Sequence, residues 1–86
     1  MDKDIFSKNE RLVITIIGKK KMTIGEITDI FCDSKQDDGD RVERQNYIAG
    51  VVRRIIRKCN VSSEVDWILE KEGSGSGGTT VWKEAK

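Results

Sequence analysis

Residues 41–60 constrain the fold more than any other stretch of this chain. They contain no proline, and at about 100° per residue they divide into two unlike sides. Ile48, Val52, Ile55, Ile56 and Cys59 fall together, with Ala49 and Val51 at the margins. The opposite side collects Glu43, Asn46, Tyr47, Gly50, Arg53, Arg54 and Arg57, with Lys58 at its edge and Arg44 at the core margin. The spacing predicts one long helix from Asp40 or Arg41 to Cys59, capped by Asp38 or Asp40. Asn60 is expected to close it in the left-handed conformation, with Val61 packing back behind it. Its apolar stripe must be covered by the rest of a chain of 86 residues, which is enough for a single domain spanning 1–86 and too little for two cores.

Two capping boxes announce the covering helices. Ser7-Lys8-Asn9-Glu10 opens the first, which runs to Ile17 with Leu12, Val13, Ile16 and Ile17 as its core stripe and stops at Gly18. Lys19, Lys20 and Lys21 follow, placed either to complement the helix end or to contact phosphate. Met22 belongs to a very short extended piece. Thr23-Ile24-Gly25-Glu26 then opens a second helix, with Ile24, Ile27, Ile30 and Phe31 on one face, ending near Cys32. Asp33 to Asp40 form an acidic loop with four aspartates and one lysine. It lacks the twelve-residue spacing and final glutamate of a calcium loop, so no metal site is expected.

After Ser62-Ser63 the pattern becomes β. Val65 to Lys71 and Thr79 to Lys83 are runs of β-formers around Trp67 and Trp82, separated by Gly73-Ser74-Gly75-Ser76-Gly77-Gly78. A hairpin with a long flexible tip is expected. A simple linker would strand Val81 and Trp82 on a tail. Both tryptophans are expected to lie as lids on the core.

Composition removes several function classes. There is no histidine, and two cysteines, Cys32 and Cys59, sit in apolar helical stripes where a thiol is an inert hydrophobe. Zinc-finger ligation, an imidazole base and a disulfide framework are thereby excluded; neither enzyme activity nor a cofactor is expected. No apolar run reaches the roughly 18 residues of a membrane span, and the first residues are unlike a signal peptide, so a cytoplasmic protein without a membrane partner is expected. Sixteen basic residues nearly balance fifteen acidic ones, but the split along the chain is uneven. Residues 41–60 stand at +5, and each flank stands at −2. A basic helix on a neutral background is the footprint that nucleic acid attracts.

Three helices followed by a hairpin, with the third helix long and basic, resemble the winged helix-turn-helix family of DNA-binding domains. The resemblance runs from Ser7 to about Lys83. Met22-Thr23-Ile24-Gly25-Glu26-Ile27 is similar to the start of the family's second helix. Ile48 to Val61 is similar to its recognition helix and exit turn, and Gly73 to Gly78 would form the wing tip. The resemblance implies an α+β winged helix-turn-helix fold, three helices followed by a C-terminal β-hairpin wing. It implies a small transcriptional regulator of phage or plasmid type that reads duplex DNA with its third helix and wing.

Within that reading, Arg53, Arg54, Arg57, Lys58 and the run Lys19, Lys20 and Lys21 are the expected phosphate contacts. Asn46, Tyr47 and Arg44 are near enough to the helix start to meet base edges. Gly50 in mid-helix costs about 1 kcal/mol relative to alanine, which either a close approach of nucleic acid or packing on another helix explains. Two departures favour an alternative, a protein-interaction module acting on transcription machinery or another regulator. The turn before the third helix is long and acidic, and the wing tip carries no Arg or Lys, its nearest cations Lys71 and Lys83 being opposed by Glu70 and Glu72. A homodimer would use the first helix.

Overall fold

A computed structural model of the chain describes residues 5–33, 41–73 and 78–86, without the side chains at 32, 33, 41 and 42. The acidic segment 34–40 with the candidate caps Asp38 and Asp40, the tip residues 74–77 and the Cys32 thiol lie outside the described residues. The fold is α+β: helix α1 (Lys8–Ile17), strand β1 (Met22–Thr23), helices α2 (Ile24–Asp33) and α3 (Arg41–Val61), then strands β2 (Trp67–Glu72) and β3 (Thr80–Ala85).

Local chemistry explains the boundaries. The Ser7 hydroxyl accepts the Glu10 N–H at 3.3 Å while the Glu10 carboxylate accepts the Ser7 N–H at 2.9 Å, closing a capping box. Gly18, at φ 56°, ends α1 by donating its N–H to the Ile14 carbonyl at 3.0 Å. Thr23 and Glu26 repeat the box at α2, with bonds of 2.9 and 3.1 Å. At the far end of α3 the expected left-handed closure at Asn60 does not occur. The helix continues through Val61, and the Ser62 N–H donates to the Lys58 carbonyl at 3.0 Å. Val61 therefore points outward, 78% exposed, instead of packing back.

The three strands form one antiparallel sheet in the order β1-β3-β2. Met22 pairs with Val81 and Thr23 with Thr80, so the two-residue strand ties the start of α2 to the hairpin. Leu69 opposite Lys83 and Lys71 opposite Val81 fix the hairpin register. α3 packs against α1, α2 and β2, burying Ile48, Val51, Val52, Ile55 and Cys59 against Val13, Ile17, Ile24, Ile27, Phe31, Leu69 and Val81.

That register separates the two tryptophans. Trp67 shares the Leu69 and Val81 face, stacks on Phe6 with ring centroids 5.7 Å apart and is half-buried on the core. Trp82 lies opposite Glu70 on the other face of the sheet. There its indole N–H donates to Glu84 at 2.9 Å, and the Lys21 ammonium sits 4.7 Å from its ring centre. Only Trp67 is a lid on the core. Two further core expectations fail, since Leu12 on α1 and Ile30 on α2 are exposed.

Candidate nucleic-acid interface

The exposed side of α3 is built by helical spacing alone. Asn46, Tyr47, Gly50, Arg53, Arg54 and Arg57 succeed one another at three- and four-residue intervals and line a shallow groove of about 370 Å³. Gly50 lies within that lining. Among the described residues, a Cβ built on it meets no atom of another element within 4 Å, so no neighbouring helix there needs this glycine. A second cleft, of about 230 Å³, lies where α3 faces the start of α2 and the hairpin; Asn46, Ala49, Arg53, Lys71 and Thr79 are in its wall. Asn46 and Arg53 border both spaces, which makes them the edge between the helix face and the hairpin.

Not every basic residue of α3 is available in the same way. Lys58 turns inward, its ammonium donating to Glu10 at 2.7 Å and to the Ile5 carbonyl at 2.9 Å. The Arg54 Nε is 3.7 Å from the other Glu10 oxygen while its side chain remains 59% exposed. Glu10 itself is only 3% exposed. Burial pushes its carboxyl up, but hydrogen bonds from Lys58 and the Ser7 backbone, with the charges of Lys58 and Arg54, outweigh burial and hold it below its ordinary value. One carboxylate thus caps α1 and clamps the basic helix to it. Arg53 and Arg57 are exposed, and no ion pair to either forms among the described residues.

At the other end of the groove, Tyr47 is fixed from two sides. Its hydroxyl accepts from the Asn9 amide at 2.6 Å, and its ring lies 6.2 Å from that of Phe31. Asn46 is exposed, and Arg44 is half-exposed and engaged within the protein. The run Lys19, Lys20 and Lys21 is exposed as well, but it borders a separate cavity at the end of α1 that shares no residue with the arginine groove.

Sequence reasoning missed two contributors. Glu10 was legible as a cap but not as the acceptor for Lys58, a contact 48 residues away. Lys71 was legible only as a hairpin cation, whereas the register turns it toward the α3 cleft. Among the described residues no group of three His, Cys, Asp or Glu side chains is placed to hold a metal, and no helix is long and apolar enough to cross a membrane. No family profile, curated protein or solved structure matches the chain.

Proposed function

We propose that this chain is a winged helix-turn-helix protein that binds duplex DNA through α3 and the hairpin, acting as a small transcriptional regulator. The observation that carries the reading is the α3 groove. Arg53 and Arg57 stand in water without acidic partners among the described residues, beside a glycine that no packing requires, on an edge shared with a cleft against the hairpin. Guanidinium groups suit phosphate because their planar donors match its oxygens. In this proposal Arg53, Arg54 and Arg57 contact phosphates, Asn46 meets base edges, and Lys71 adds a cation from the hairpin side. Lys58 acts by positioning α3 on Glu10, and Tyr47 is braced by Asn9 and Phe31.

The order helix, strand, helix, helix, strand, strand, with β1 on the outer side of β3, is compatible with the winged arrangement. The test is selection of bound sequences from a random duplex pool, with a mobility shift at low salt. Weak general binding and an enriched site are expected. Absence of any shift at low salt would sink the reading and leave protein interaction as the function of the domain.

A further inference from the structure

The cavity at the end of α1 differs in character from the arginine groove. It measures about 470 Å³, and its wall includes Ile16, Ile30, Lys19, Lys20, Lys21 and Glu26. Ile30 is 52% exposed, and Leu12, one turn before Ile16 on α1, is 44% exposed. The two helices therefore leave an apolar floor open to water beside a cationic rim. Glu26 offsets only part of that rim: it is one carboxylate against three lysines, and its Oε1 is engaged by both the N–H and the hydroxyl of Thr23 in the α2 cap. Lys21 leans over Trp82, and no ion pair to Lys19 or Lys20 forms among the described residues.

We infer that this α1–α2 groove docks an acidic segment of a partner protein, one that carries spaced apolar anchors. Carboxylates on the segment meet Lys19 and Lys20, and its apolar side chains cover Leu12, Ile16 and Ile30, each removing apolar area from water. A DNA backbone would satisfy the lysines but leave the isoleucines and leucine wet. A second copy of this chain fits worse still. A two-fold contact would bring together two patches of the same net positive charge. Because the cavity shares no residue with the arginine groove, the proposal stands independently of DNA binding.

Selection from a random 16-residue peptide display library with the whole protein as bait tests it. The expected result is enrichment of peptides of net negative charge with leucine-, isoleucine- or phenylalanine-type residues three or four positions apart. A synthetic peptide of the enriched sequence should shift backbone amide resonances between Leu12 and Ile30. It should lose at least tenfold in affinity with Leu12→Ser/Ile30→Ser, and likewise with Lys19→Glu/Lys20→Glu. Both pairs change exposed side chains, and the charge reversal alone suffices if the apolar pair disturbs folding. Enrichment of peptides lacking acidic residues, no enrichment at all, or affinity retained in both variants overturns the proposal. So does random duplex DNA that displaces the peptide and moves the same amides, which would make the lysine run a nucleic-acid surface.

Discussion

Glu10 and Gly50 show how single residues tie the fold to the proposed interface. The Glu10 carboxyl titrates below its ordinary value of 4.5, so its pairing contributes stability that is fully present above that pH. The contribution is lost as pH falls through the depressed folded value. Glu10→Gln should destabilise the protein by about 1–3 kcal/mol at pH 7 and by progressively less at a pH below the ordinary carboxyl value of 4.5. Urea unfolding at both pH values measures this, and an unchanged pH profile in the variant would show that the clamp carries no weight. Gly50→Ala carries the opposite sign. With no atom near the added methyl group, the variant should gain up to about 1 kcal/mol from helix propensity and unfold at a higher temperature. Its affinity for duplex DNA should nevertheless fall if a nucleic-acid backbone approaches the helix there. Tighter or equal binding by this more stable variant would remove Gly50 from the interface.

At the scale of elements, helix beginnings were legible and the faces of the hairpin were not. Ser7 and Thr23 each carry a glutamate three residues on, a local pattern that needs no tertiary information. The α3 stripe was readable for the same reason, since Ile48, Val52, Ile55 and Cys59 repeat at helical spacing and all are buried. Trp67 and Trp82 look equivalent as sequence, each within a run of β-formers. Their sides of the sheet are decided by a pairing register that places Trp67 opposite Ala85 and Trp82 opposite Glu70. Leu12 and Ile30 fit the apolar periodicity of their helices but lie beyond the strip their neighbours cover. α3 runs past the expected stop to Val61 because Asn60 tolerates the left-handed conformation without requiring it. The hairpin reading has a direct check. Trp67→Ala, which removes the stack on Phe6, should cost about 2–4 kcal/mol, while Trp82→Ala should cost roughly 1 kcal/mol. Equal losses in thermal unfolding would contradict the assigned faces.

For the whole molecule, roles separate along the faces of α3. Residues facing Ile48, Val52 and Ile55 hold the domain together, Lys58 pairs with Glu10 of α1, and the arginines opposite line the exposed groove of the proposed interface. The proposed interface was readable as a basic helix face, whereas its division into clamped Lys58 and water-exposed Arg53 and Arg57 depends on α1 and on contacts too distant in sequence to infer. Lys58→Ala should therefore lower stability by about 2 kcal/mol, since it takes from the buried Glu10 carboxylate its shortest ionic partner and leaves it the Ser7 N–H and the more distant Arg54. Arg53→Ala/Arg57→Ala should leave the unfolding midpoint nearly unchanged. The most direct measurement is the salt dependence of duplex DNA affinity for the parent and for that double variant. Weaker binding is expected, with the slope of log affinity against log salt shallower by about 1.8 for two lost phosphate contacts. A double variant that binds with the parent's affinity and slope would contradict the account, because the arginine face would then be only a solvated surface.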